Sequence, residues 1–322
     1  MPIPPSPSSF SSINKAYQEV FRPQHMSIGL VVPIETYIHS SVPDMHGHLE
    51  RVQLAEALGF KAIWLRDVPF HVPAFGDAGQ PYDPFVYLGM LAAKTRQIAL
   101  GVASIILPLR HPVHVAKAAA SVDALSEGRL LLGIASGDRP KEYPAMNIPF
   151  EERGARFRES YAYIRAMEAA FPQVSNDFGE LDGALDLLPK AFAAKLPLLI
   201  TGGSQQPMEW IAAHGDGWMV YPRNPIYQEH VLKHFREKVA EANRPPQPVM
   251  QPLHIDLAED PNQLPTPIHL GFRSGIKYLL QHLKALQNIG IHHVALNLRF
   301  NQADVESTLQ EIAKEILPAF HP

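Results

Sequence analysis

Two stretches bring small residues to the end of an apolar run, and both could cradle an anion. In "RLLLGIASGDRPKEYPAMN" (129 to 147), Leu130, Leu131, Leu132 and Ile134 read as a buried strand that stops at Ser136-Gly137 and opens into Asp138, Arg139, Lys141 and Glu142. In "LLITGGSQQPMEWIAAHGDGW", Gly202-Gly203-Ser204 separate a strand pattern from a helix pattern. Glycines let backbone N–H groups turn toward a ligand, and a helix N-terminus adds partial positive charge, so such turns suit a phosphate. The plainer alternatives are a surface loop at the first site and, at the second, an ordinary turn with Ser204 as helix N-cap. Two such turns emerging on one face argue jointly for a phosphorylated cofactor.

Other residue types widen the chemistry or exclude it. "WLRDVPF" places Arg66 and Asp67 at the end of another apolar run. They read either as an ion pair closing a rim or as catalytic groups, with Asp67 the acid–base candidate. Trp64, Tyr143 and Trp218 are candidate substrate contacts, the two tryptophans being alternatively core filling. Among sixteen histidines, His46 and His48 lie two apart leading into a helix pattern, where they do not share a face, so no metal site is expected there. His111, His114, His292 and His293 read as surface or capping residues. No G-x-S-x-G elbow and no P-loop occurs. With no cysteine, disulfides, thiolate metal sites and a cysteine nucleophile are excluded.

These residues need a frame that presents strand ends together. Eight strand patterns run over 27 to 34, 61 to 66, 98 to 107, 129 to 136, 196 to 201, 217 to 222, 248 to 257 and 292 to 298, with helical stretches between them. Leu49, Val52, Ala55 and Leu58 form a helical stripe that stops at Gly59, and Val305, Leu309, Ile312 and Ile316 form another near the end. The alternation predicts an α/β fold: a single (β/α)8 TIM barrel with insertions at its C-terminal face, the competing form being an open doubly wound sheet. The long connections 68 to 83, 137 to 150 and 257 to 272 all follow strands, which places them at the face where barrel active sites lie. The excursion 172 to 195 has no readable form.

A chain of 322 residues with 46% hydrophobic content can fill one large core. Lys and Arg number 28 against 32 Asp and Glu without a charge run, which points away from nucleic acid and membrane surfaces and toward a small-molecule substrate. Residues 1–26 are expected to be a Pro/Ser-rich leader and N-terminal extension, disordered over "MPIPPSPSSFSS", and 27–322 the barrel domain. No apolar run approaches the ~20 residues of a membrane span. A soluble, cytoplasmic protein is expected.

The stretch "TRQIALGVASIILPLRHPVHVAKAAASVDALSEGRLLLGIASGD", followed by "NIPFEERGARFRES" and "LPLLITGGSQQPMEWIAAHGDGWMVYP", resembles the luciferase-like monooxygenase family, which includes bacterial luciferase and flavin-dependent alkane and sulfonate monooxygenases. The resemblance runs from about residue 27 to the end. It implies a (β/α)8 barrel binding FMN, or in some relatives F420, at the C-terminal mouth. Ser136 and Gly137 match the segment that approaches the flavin phosphate, and Gly203 and Ser204 match its second contact, with Gly202 beside them a further candidate for cofactor binding. Ala103-Ser104 match a non-proline cis peptide beneath the isoalloxazine ring. Where bacterial luciferase has Glu-His-His after strand two, this chain has Arg66-Asp67-Val68; where luciferase has cysteine and arginine after strand four, it has Ala135 and Ser136. Light emission is therefore not expected, and Arg139 becomes the expected phosphate partner. The implied activity is a monooxygenase using O2 and reduced FMN from a separate flavin reductase, in a homodimer; the alternatives are an F420-dependent dehydrogenase, a non-catalytic flavin-binding protein and, weakest, a metal-dependent hydrolase barrel. Tyr143 and the 137 to 150 loop are expected to close over substrate.

Overall fold

A computed structural model describes residues 9–193 and 195–321. The chain opens with α1 (Lys15–Val20) and then alternates strand and helix: β1 (Ser27–Val31), α2 (His48–Leu58), β2 (Ala62–Leu65), α3 (Pro84–Lys94), β3 (Ala99–Ile106), α4 (Pro112–Leu125) and β4 (Leu130–Ala135). The short α5 (Glu142–Ala145) and α6 (Arg153–Ala166) follow, then the hairpin β5 (Gln173–Asn176) and β6 (Gly179–Asp182). The second half holds β7 (Leu198–Thr201), α7 (Met208–His214), β8 (Gly217–Met219), α8 (Pro225–Glu241) and β9 (Val249–Leu257). A hairpin of β10 (Thr266–Ile268) and β11 (Gly271–Ser274), then α9 (Ile276–Ile289), β12 (His293–Asn297) and α10 (Val305–Glu315), complete it.

The parallel strands β1, β2, β3, β4, β7, β8, β9 and β12 pair in that order, and β12 pairs with β1, so the sheet closes into a (β/α)8 barrel. The open doubly wound alternative is thereby overturned. All eight expected strands occur, each within its sequence-read span. Part of the unreadable 172 to 195 segment is the β5–β6 hairpin, and β11 extends the sheet beside the far end of β9.

The strands read as almost continuous apolar runs because both faces are buried, as barrel strands must be. Alternation sorts their side chains into two cores. Ile28, Leu30, Ile63, Leu65, Leu100, Val102, Leu132 and Ile134 pack outward against the helices. Val31, Ala62, Trp64, Ala99, Leu131, Leu199, Met219, Met250 and Ala295 fill the interior. Space for them comes from strand glycines: a Cβ on Gly101 would sit 2.3 Å from the Trp64 ring, and one on Gly133 2.7 Å from Met219 Sδ.

Residues 1 to 8, most of the expected leader, lie outside the described residues. The remainder of the N-terminal extension belongs to the barrel packing: Ile13, Ala16, Tyr17, Val20 and Phe21 are buried in the interior core. Asn14 Nδ2 donates to Leu130 O at 2.8 Å, so helix α1 closes the barrel from below. His293 is likewise an interior residue, not the surface or capping histidine read from sequence. It is fully buried; Trp64 Nε1 donates to its Nε2 at 2.8 Å and Ser27 Oγ lies 2.6 Å from its Nδ1. Because the Ser27 hydroxyl donates to Val20 O, the ring Nδ1–H must donate to Ser27, and burial keeps the ring neutral, with a pKa of about 3. No helix among the described residues is long and apolar enough to cross a membrane.

Candidate active site

Two joined hollows open at the C-terminal ends of the barrel strands. The shallow one, about 330 Å3, lies between the turns after β4 and β7 and includes Ser136, Gly137, Gly202, Gly203, Ser204 and Gln205. The deep one, about 290 Å3, descends into the barrel onto Trp64, Met219, Met250 and Ala295. Ala103, Thr201, Tyr221, Arg66 and Arg139 line both, so the two form one site.

The shallow hollow is built to receive an anion through backbone groups. Among the described residues, the N–H groups of Gly137, Asp138, Gly203, Ser204 and Gln205 have no protein acceptor, and the Ser136 hydroxyl has no protein partner. Gly137 takes φ +73, and a Cβ there would approach Ile106 and the Tyr143 hydroxyl within 3 Å, so the turn requires glycine. Gly203 is different. A Cβ on it would meet nothing nearer than Gln206 O at 3.9 Å, so the space beside it is a cradle that a side chain would fill. Ser204 is not the helix cap: its hydroxyl donates to Thr201 O at 2.7 Å, and α7 begins only at Met208 after Pro207. The cradle is therefore a loop of free N–H groups, not a helix end.

Two sequence-proposed substrate contacts sit behind this wall. Tyr143 is fully buried, donates to the Ser136 carbonyl and packs on Phe150 at 5.0 Å between ring centroids, so it props the turn from beneath and does not close over the cavity. Trp218 faces the helix layer, tilted against Phe235, while its Nε1 donates to Gly202 O at 2.8 Å. Of the three aromatics, only Trp64 reaches the cavity, as its floor.

Between the hollows runs the Ala103-Ser104 peptide, which is cis, and the β3–β4 register shifts between Val102 and Ile105. Ser104 Oγ contacts Thr201 Oγ1, which donates to Met219 Sδ at 3.1 Å.

Asp67 lines the shallow hollow but is not placed as an acid–base group. Its carboxylate accepts from Arg110 Nε at 3.0 Å and Nη2 at 2.8 Å, and from Ile106 N at 3.1 Å. These three hydrogen bonds tie the end of β3 to the rim, the ion-pair reading of the sequence with a different partner. Arg66 pairs with Asp77 at 2.7 Å. Arg139, expected on the phosphate, lies where the hollows meet: its Nη2 donates to Asp77 O at 3.3 Å, its guanidinium covers Phe75, and its Nη1 has no partner among the described residues. Burial and the Arg66 guanidinium beside it lower its pKa.

The deep hollow also contains residues that sequence reasoning missed. Asp77 comes from the long connection after β2; burial opposes its charge, but Arg66, Tyr37 and Arg299 outweigh that and hold its pKa at about 2. His254 lies on β9 with a buried Nδ1 that has no hydrogen-bond partner among the described residues; burial and neighbouring His269 lower its pKa to about 4. Asn297 and Arg299 follow from β12. Asn297 and Arg299 stand at and just beyond the C-terminal end of β12, and His254 pairs level with Asn297, so position was their signal; Asp77, deep in the connection after β2, carried none.

The profile of the luciferase-like monooxygenase family matches residues 26–311. An uncharacterized protein of Mycobacterium tuberculosis is 32% identical over 241 residues, covering 68% of this chain and 82% of its own length. The oxygenase component of a flavin-dependent trigonelline monooxygenase from Acinetobacter baylyi is 31% identical over 169 residues, 51% of this chain and 42% of that protein. Among solved structures, an F420-dependent secondary alcohol dehydrogenase in complex with an F420-acetone adduct superposes with a TM-score of 0.76 at 19% identity, covering 92% of this chain and 100% of that one. A closed barrel, a mouth of glycine turns and a profile match over most of the length agree, and the chain belongs to the luciferase-like monooxygenase family.

Proposed function

We propose that the protein is a cytoplasmic, homodimeric flavin-dependent monooxygenase that uses reduced FMN, supplied by a separate reductase, and O2 to oxidise a small organic substrate. The observation that carries this reading is the cradle beside Gly203, open, ringed by free N–H groups and continuous with a deep cavity floored by Trp64. Similarity to a flavin-dependent oxygenase component supports the separate reductase.

The residues present fit such a cofactor. Ser136, Gly137, Gly203 and Ser204 would hold the phosphate, Ala103 and Ser104 would underlie the ring, and reduced flavin, once bound, supplies the electrons that activate dioxygen. Trp64, Met219 and Met250 keep the floor of the site dry, which strengthens every electrostatic contact above it. His254, which burial and the neighbouring His269 keep neutral at pH 7, would add a polar but uncharged group to the wall of the site.

Anaerobic titration of the purified protein with reduced FMN, and in parallel with reduced F420, tests the reading. Preferential binding of reduced FMN, followed by substrate-dependent oxygen consumption, is the expected result. Binding of F420 alone moves the protein to the dehydrogenase branch, to which the F420-bound structural neighbour belongs. Binding of neither overturns the reading.

A further inference from the structure

In the deep hollow, two guanidinium groups, Arg66 and Arg299, share a single buried carboxylate, Asp77. Both converge on one of its oxygens: Arg66 Nη1 at 2.7 Å and Arg299 Nη1 at 3.5 Å from Oδ1. Tyr37 donates to the other oxygen at 2.6 Å. Arg139 adds a third guanidinium, which has the buried Glu142 carboxylate beside it. The remaining carboxylate on the wall, Asp138, is exposed and makes no ion pair among the described residues. Arg66 Nε and Nη2 also have no protein acceptor among those residues.

Burying cations beside an apolar floor is unfavourable unless an anion joins them. A phosphate on the glycine turns does not meet this need at Arg299, which lines the deep hollow and not the shallow one. The geometry points to a substrate carrying a carboxylate on a compact apolar body, the carboxylate held by Arg66 and Arg299 and the body resting on Trp64, Met219 and Met250. Guanidinium groups favour carboxylate because their parallel N–H groups match its two oxygens. This inference rests on the proposed flavoenzyme site and names the substrate class for it.

Matched carboxylate and carboxamide probes of one shape, benzoate with benzamide, phenylacetate with phenylacetamide and hexanoate with hexanamide, would be titrated calorimetrically into the FMN-loaded protein. At least one acid is expected to bind roughly tenfold or more tighter than its amide, the scale of a charge-assisted hydrogen bond. Arg299→Gln should remove that preference while leaving FMN affinity within about twofold, since the change is confined to the deep hollow. Arg66→Lys, which keeps the charge facing Asp77 but loses the planar fork, should reduce it by a smaller factor and serves if Arg299→Gln does not fold. The inference is overturned if no acid outbinds its amide, or if either substitution weakens FMN as much as it weakens the acid, because the cations would then serve the cofactor. Should the protein bind no FMN, the same pairs run on the unloaded protein still report the anion preference, which separates failure of this inference from failure of the flavoenzyme reading.

Discussion

At the scale of single residues, the site separates groups that face a ligand from groups that hold those groups. Gly203 is the clearest ligand-facing position, because an added methyl meets open space within the fold and occupies the cradle. Gly203→Ala is expected to melt like the parent but to bind FMN roughly tenfold more weakly, with riboflavin, which lacks the phosphate, much less affected. Equal losses for both ligands in fluorescence titrations would remove the phosphate from this turn. Asp67 is the opposite case. Its two oxygens are taken by Arg110 and the Ile106 N–H, so Asp67→Asn is expected to lower stability by about 2 kcal/mol in denaturant unfolding, less than a fully buried pair because Arg110 is partly exposed. An unchanged unfolding midpoint would restore Asp67 as a functional group not needed for the rim.

At the scale of elements, the anion cradle depends on a strand whose side chain points away from it. Trp218 on β8 inserts its ring into the helix layer and uses its indole N–H to hold the Gly202 carbonyl after β7. Trp218→Phe keeps most of the packing and deletes one hydrogen bond, so FMN affinity should fall several-fold, for about 1 kcal/mol, with the melting temperature nearly unchanged. A large drop in melting with no change in affinity would make Trp218 a packing residue alone. The same elements show what was legible in sequence. The strands were, because apolar runs bounded by turns are a local signal, and so were the α2 and α10 stripes. The inward or outward sense of a strand side chain was not, so Trp64 and Trp218 looked equivalent although one floors the cavity and the other backs its wall. The alternative of Ser204 as an N-cap does not hold, because Pro207 and not Ser204 precedes the first turn of α7.

At the scale of the whole molecule, the barrel encloses titratable groups in neutral form. His293 is held to a pKa of about 3, His292 and His321 to about 4, in each case chiefly by burial. Each binds a proton in the unfolded chain below about pH 6.5. In the folded protein none does so until about pH 3 to 4. The unfolded state therefore holds more protons in that window, and stability should fall as pH drops from about 6.5, by up to ~1.4 kcal/mol per pH unit for the fully buried His293 alone. Asp77, its folded pKa lowered to about 2, adds stability above the ordinary aspartate range that is lost as pH falls toward 2. Denaturant unfolding at pH 7, 6 and 5 checks the histidine contribution; a flat profile for the parent, or an unchanged slope in His293→Gln, would contradict it.

The order of residues by itself determined the barrel class, the eight strands, the family resemblance and the two glycine turns, since each is written in local pattern or contiguous motif. Only the tertiary structure decided which side chains share the mouth. Asp77 in the connection after β2, His254 on β9 and Arg299 just past β12 meet only when β12 closes onto β1. Asp67 found its partner forty-three residues away in Arg110, and His293 became part of the barrel core because a neutral imidazole bonded to Trp64 and Ser27 is stable where a charged one is not. Charge balance within a cavity depends on which groups converge in three dimensions, and no linear spacing carries that information.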